Sequence, residues 1–320
     1  APVLTWKTST QSPLPAQPDS KIASLQSLCG TADAALIDVA GRNVKRQLEG
    51  ADLYGADELG RTLRAAGDPH VWPRAFSIAG SAFEDDYLKK KLKGWMDGWS
   101  TLGVRRCGLS KSSKADGTTV FAVVAVDALA DMTSLPTTAR VSQWITLEGK
   151  MLIPATAVKV VLLGPRGAPK TVIASLTKDK IKSTFSVDQA GQWLVQVLAT
   201  VSTGPRPVLE ALVFAGTTPP TKFTRASVPG EDAGKEIKDD AEAVLKMLNA
   251  ARVAEGKPAL TRDAALDKLA KTHSDEMAKA KMVGHDVGTA IRRRGSRRPG
   301  SRPRSPARTS RARPTRRART

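Results

Sequence analysis

Three histidines and two cysteines hold most of the reactive chemistry available to this 320-residue chain. Cys29 and Cys107 stand far apart, which fits neither a zinc-finger spacing nor a Cys-Xaa-Xaa-Cys redox pair. They are either two separate buried thiols or one disulfide. A disulfide would close a long loop and stabilise the fold by roughly 4–5 kcal/mol in the chain-entropy model. His70 sits with Trp72 in the phrase Gly-Asp-Pro-His-Val-Trp-Pro. It reads as lacking a nearby carboxylate or second histidine, which makes it a packing residue rather than a metal ligand or an acid–base group. His273 falls on the inner face of an amphipathic helix, also a packing position. His285 follows Gly284, where that helix has ended. Gly164-Pro-Arg-Gly167 is not a phosphate loop: it lacks the Gly-Lys-Ser/Thr ending, and no helix follows it.

These residues need elements to position them. Residues 1–20, rich in Pro, Ser, Thr and Gln, read as a flexible lead-in. Residues 21–135 read as an α+β domain. Helical spacing of apolar residues predicts helices over 33–48, 57–66 and 85–99, with Asp57 as an N-cap and Gly67 as a terminator. A hairpin follows, with strands at 105–111 and 118–126 around an Ala-Asp-Gly turn. Its second strand is apolar almost throughout and should be central, covered on both faces. Residues 136–216 change to a period of two. Six short strands, at 141–147, 158–163, 171–176, 181–187, 192–201 and 207–214, predict an all-β sandwich. With no His or Cys and few acids, that domain suits a spacer or an adhesive module. A Pro/Thr/Gly linker covers 217–236, and the helical period returns over 237–291.

The formal net charge of +19 suggests nucleic acid until it is located. Residues 292–320 hold thirteen arginines and no Lys, Asp or Glu, and without them the rest carries only +6. The tail cannot build a core and is expected to be disordered. It reads as an arm that binds nucleic acid or polyanions non-specifically, as a tether to anionic cell-surface polymers, or as out-of-frame translation of a GC-rich gene. The abrupt loss of every lysine and acid favours the frameshift. No run of 18 apolar residues is present, so no transmembrane helix is expected. The opening Ala-Pro-Val resembles a mature N-terminus left after signal removal, which points to export and favours the Cys29–Cys107 disulfide.

One ordered set of residues carries a family resemblance. Leu248, Asn249 and Arg252 end one helix; Gly256, Pro258 and Leu260 form a loop; Leu266, Ala270, His273 and Met277 mark a second helix, and His285 follows. The segment resembles the opening of a CAP domain, from the superfamily of cysteine-rich secretory, antigen-5 and pathogenesis-related-1 proteins, in its bacterial SCP-like form. It covers about a seventh of the chain. The resemblance implies an α-β-α sandwich, usually exported, in which the histidine matching His285 lines a central cleft. A second histidine and two acids belong to that cleft, and in some members the histidines hold a divalent metal such as zinc. The partner histidine, a Gly-Glu-Asn segment and the sheet should follow, yet the chain turns to arginine at Arg292, so the domain reads as truncated. The helix-then-sheet order of residues 21–135 also loosely resembles a CAP domain, without its cleft histidines.

The expected protein is therefore multidomain α+β: an N-terminal α+β domain, a central β-sandwich, and partial CAP-like helices with a disordered Arg-rich tail. Its expected role is that of a secreted or envelope-associated CAP/SCP-domain protein, extracellular, periplasmic or on the outer cell surface. It would bind or build rather than catalyse, meeting cell-surface polymers or lipid. A metal-dependent hydrolase would need the missing half of the domain. A polyanion or nucleic-acid binder would act through the tail.

Overall fold

The computed structural model describes residues 3–81, 83–224, 230–281, 283–284 and 287–288. The chain divides into two units, Ala1–Arg225 and Ala226–Thr320. Elements are numbered along the chain. The fold is mixed α+β.

In the first unit, Asp33 accepts hydrogen bonds from the backbone N–H groups of Ala35 (2.9 Å) and Leu36 (3.4 Å). It thereby satisfies two of the orphan donors that begin a helix. The helix that follows, α2 (Ala34–Leu48), lies with α3 (Ala56–Ala65) on one face of a four-stranded sheet. Gly55, rather than Asp57, is the N-cap of α3. Asp57 instead sits in the first turn, where a carboxylate favours the positive end of the helix dipole. The other face is covered by α1 (Ala23–Cys29) and α4 (Asp85–Asp97).

The sheet runs β2 (Thr31–Ala32), β4 (Val104–Ser113), β5 (Thr119–Ala128), β3 (Arg74–Gly80). Strand β5 shows why three layers form. Its odd-numbered residues Phe121, Val123 and Ala125 pack toward α1 and α4. Val124 and Val126 join the core with α2 and α3, and Val120 and Ala122 pack with Val44 of α2. Helix α2 approaches β4 so closely that a Cβ on Gly108 would overlap the backbone of Leu36 and Ile37.

The remaining strands of this unit are β1 (Ser9–Thr10), β6 (Ala130–Met132), β7 (Leu135–Pro136), β8 (Thr138–Ala139), β9 (Gln143–Met151), β10 (Ala157–Leu163), β11 (Lys170–Thr177), β12 (Lys180–Val187), β13 (Gly191–Val201) and β14 (Gly204–Ala215). The strands form a hydrogen-bonded sheet in the order β6-β9-β12-β11-β10-β13-β14-β8, in which β11 pairs with β10 through residues 170–173 and with β12 through residues 174–177. It curls as a half-barrel around a single core that includes Leu147, Leu162, Phe185, Trp193 and Val197. Alternation explains the core: Trp193, Val195, Val197 and Ala199 of β13 are buried, with less buried residues between them. The β13–β14 register shifts between Val197 and Leu198, a bulge of the kind that bends a strand and helps a sheet curl.

Residues 3–20 are packed rather than a loose lead-in. Leu4 is buried, and its N–H donates to the Thr221 carbonyl (2.7 Å). Trp6 donates from Nε1 to the Pro220 carbonyl (2.8 Å) and meets Phe214 edge-on at 4.8 Å. Lys7 and Gln11 donate to the carbonyls of Ala65 and Gly67 at the end of α3, and Ser12 donates to Met132. The segment lacks apolar content for a core of its own. It is held because its backbone donors meet carbonyls that a helix end leaves unpaired.

The second unit contains α5 (Asp240–Ala254) and α6 (Ala264–Ala280), capped by Asp239 and Asp263. Val244, Leu248, Val253, Leu266 and Leu269 along them are exposed. The connecting loop is pinned by side chains. Asn249 accepts from the Leu260 N–H (2.7 Å) and donates to its carbonyl (2.9 Å), and Arg252 donates to the Pro258 carbonyl (2.9 Å).

Candidate functional site: a groove over a buried charge cluster

Helix α3 presents Asp57, Arg61 and Arg64 to a groove of about 830 Å³, within the range that holds a small ligand. Strands β13 and β14 add Gln192 and Glu210, the turn before β3 adds Trp72, and β3 adds its first residue, Arg74. Arg64 pairs with Glu210, which also accepts from Gln196 Nε2 (2.6 Å), and donates to the Gly60 carbonyl (2.8 Å). Arg61 donates to Gln192 Oε1 (2.8 Å) and lies 5.7 Å from the Trp6 ring centre. The buried Nε atoms of Arg61 and Arg64 have no hydrogen-bond partner. Burial first, and the charge of Arg64 second, hold the Arg61 pKa below its ordinary value.

Trp72 is displayed at some cost. His70 and Val71 before it are buried, yet Trp72 is 58% exposed. Its φ of 52° lies in the left-handed region, and it precedes Pro73, a position that ordinarily favours extended backbone. Such a conformation stores on the order of 1–3 kcal/mol and persists where the surroundings impose it. Here the anchors are His70, bridged to Leu209, and the Pro69 carbonyl, which accepts from the Glu210 N–H (2.7 Å). Arg206 lies 5.5 Å from the Trp72 ring centre, and Arg74 lies 4.6 Å from that of Trp99. Glycine takes this φ without a Cβ penalty, so Trp72→Gly is expected to be more stable than Trp72→Ala by about 1 kcal/mol. Denaturant unfolding of the two variants checks the difference.

Beneath the turn lies a charge cluster whose centre, Asp68 and His70, is fully buried. His70 Nδ1 is 2.9 Å from Asp68 Oδ1, which also accepts the His70 backbone N–H at 2.8 Å. His70 Nε2 is 3.2 Å from the Ala130 carbonyl and 3.9 Å from Asp131 Oδ1. Asp131 in turn is ion-paired with Arg106, whose Nη2 donates to Asp131 Oδ2 at 3.0 Å. Both ring nitrogens therefore face acceptors, an arrangement suited to the imidazolium. Burial pushes the His70 pKa down, but the charge and hydrogen bond of Asp68, helped by Asp131, outweigh burial and Arg106 and raise it overall. Asp33 lies close enough to Asp68 that burial, then repulsion by Asp68, raise its own pKa.

His70 thus has two carboxylates nearby, contrary to the sequence-based expectation. The signal was local: Asp68 precedes it by two residues, and Pro69 fixes the turn between them. Sealed from solvent, the pair is a structural device. Cys29 and Cys107 are joined by a disulfide, their Cα atoms 6.1 Å apart and both residues fully buried. It ties α1 to β4, away from the groove. His273 is half-buried on α6, and His285 lies outside the described residues, as does the tail over 292–320. Among the described residues no cluster of three or more His, Cys, Asp or Glu side chains could hold a metal, and no helix is long and apolar enough to cross a membrane. Sequence reasoning noticed Trp72 but not Arg61, Arg64 or Glu210, which converge from distant positions.

No protein-family model and no curated protein matches the chain. Among solved structures it is similar to a DUF4785 family protein from Legionella pneumophila, with a TM-score of 0.23 and 10% identity. The match covers 33% of this chain and 34% of that one, about a third of the solved chain's length. A likeness this slight transfers neither fold nor activity.

Proposed function

We propose that this chain is an exported, envelope-associated or secreted CAP/SCP-like protein with a non-enzymatic binding role. The observation that carries the reading is the helix pair of the second unit. The residues that bear the family resemblance are the ones that build it, with Asn249 and Arg252 fastening the loop at Leu260 and Pro258. Exposed apolar residues along α5 and α6 fit a partial module whose remaining layers would cover them. The α-β-α layering around β5 supports reading residues 21–135 as a second, histidine-poor region of the same architecture. The half-barrel then serves as a binding or spacer module. A fully buried disulfide is compatible with an oxidising compartment, and so supports export.

Zinc titration of the full chain by calorimetry tests the non-enzymatic reading. Zinc is expected to give no stoichiometric binding that depends on His285. Stoichiometric binding lost on His285→Ala would replace this reading with that of a metal-dependent CAP hydrolase.

A further inference from the structure

We propose that the groove over α3 binds an anionic polysaccharide, with Trp72 as the stacking platform for a sugar ring and Arg61 as the partner of its acidic group. The proposal rests on the reading of the chain as an exported binding protein and names the class of ligand.

Three observations converge. The first is Trp72 itself. An indole held out of the core, in a backbone conformation that disfavours it, has a large flat apolar face beside polar neighbours. Sugars present matching apolar C–H faces edged by hydroxyls, and Asp57 and Gln192 supply the acceptors and donors such edges need. The second is the arginine pair. Arg61 and Arg64 lie one helical turn apart, and Glu210 pairs with Arg64. Arg61 has a neutral amide, Gln192, as its side-chain hydrogen-bond partner, and its buried Nε has none. A carboxylate or sulfate in the groove would meet the accessible end of this half-buried guanidinium, not its buried Nε, and relieve its repulsion with Arg64. The third is the mixture of signs. Asp57 and Glu210 lie among Arg61, Arg64 and Arg74. A duplex phosphate backbone, with a charge every ~1.7 Å, would meet those acids repeatedly, whereas a polymer charged at intervals can place neutral rings there.

The test uses the full chain at physiological salt, with a galacturonate tetrasaccharide and a heparin-derived tetrasaccharide as acidic probes. The methyl-esterified galacturonate is the neutral control, and calorimetry the readout. At least one acidic probe is expected to bind at least tenfold more tightly than the neutral one. Trp72→Ala and Arg61→Gln should each weaken binding roughly tenfold, and Trp72→Phe should restore most of it. The tail is common to all these proteins, so the differences among them report on the groove. Trp72 is exposed, so Trp72→Ala keeps the test valid if Arg61→Gln does not fold. Binding unchanged by Trp72→Ala, equal binding of the neutral probe, or displacement by a single-stranded oligonucleotide or acidic peptide at lower concentration would each overturn the assignment. Zinc binding through His285 would instead overturn the non-enzymatic reading and leave the groove result standing, so the two failures are separable.

Discussion

Replacing Asp68 with alanine is expected to destabilise the first unit by about 3 kcal/mol. Removing one member of a buried ion pair ordinarily costs about 3–5 kcal/mol, because the group left behind must either stay charged without compensation or give up its proton inside the fold. The lower end applies here. Asp33, repelled by Asp68, gains some relief when it is gone, and Asp131 still lies 3.9 Å from His70 Nε2. For a unit of this length that is a fall in thermal midpoint of roughly 10 °C, measurable by circular dichroism.

The pH profile separates this mechanism from a simple packing loss. The folded-state pKa of His70 lies above its unfolded value, so its contribution to stability is complete below about pH 6.5 and is lost as pH rises through the folded value. In Asp68→Ala, burial and Arg106 outweigh Asp131 and the folded pKa falls below the unfolded one. The histidine then contributes stability above about pH 6.5 and loses it as pH falls. Midpoints measured from pH 5.5 to 8 should therefore slope in opposite directions in the two proteins. Parallel slopes would show that Asp68 acts through shape alone.

How much of this was legible in the sequence depends on how far apart the partners lie. Strand β5 could be read directly, because a strand buried on both faces carries apolar residues at nearly every position. The strands between 141 and 214 could be read because turn signals break an alternating pattern. Their order in the sheet could not. It depends on the β10–β11 pairing and on the addition of Ala130–Met132 at one edge, and a three-residue strand has too few residues to show a period. The packed course of residues 3–20 was hidden for a related reason. Composition reports whether a segment can build a core, and not whether another element offers it hydrogen-bond acceptors, as Ala65 and Gly67 do. The site divides in the same way. Asp68 and His70 are two residues apart and could be paired from sequence. Arg64 and Glu210 are 146 apart, and no spacing rule reaches that far.

Loss of the Cys29–Cys107 disulfide has the largest effect expected of any single covalent change. The bond closes a loop with a sequence separation of 78 residues, for which the chain-entropy model gives about 4–5 kcal/mol. A domain's whole net stability is about 5–15 kcal/mol, so the reduced chain keeps only a modest margin. The native contacts around the bond would survive its loss. Leu25, Leu88, Leu92 and Phe121 still pack α1 and α4 on the sheet, and Gln26 Nε2 still donates to the carbonyls of Gly30 (3.0 Å) and Cys107 (3.2 Å). Cys29→Ala/Cys107→Ala is thus expected to fold to the same structure while unfolding at a midpoint lower by at least 10 °C. Because the bond acts mainly on the unfolded chain, its removal should also raise the urea m-value, the open chain exposing more surface. A fallen midpoint with an unchanged m-value would place the effect in the native packing of α1 against β4 instead. Both cysteines are fully buried, so reductant added to the folded wild type should act only as fast as the structure opens around α1.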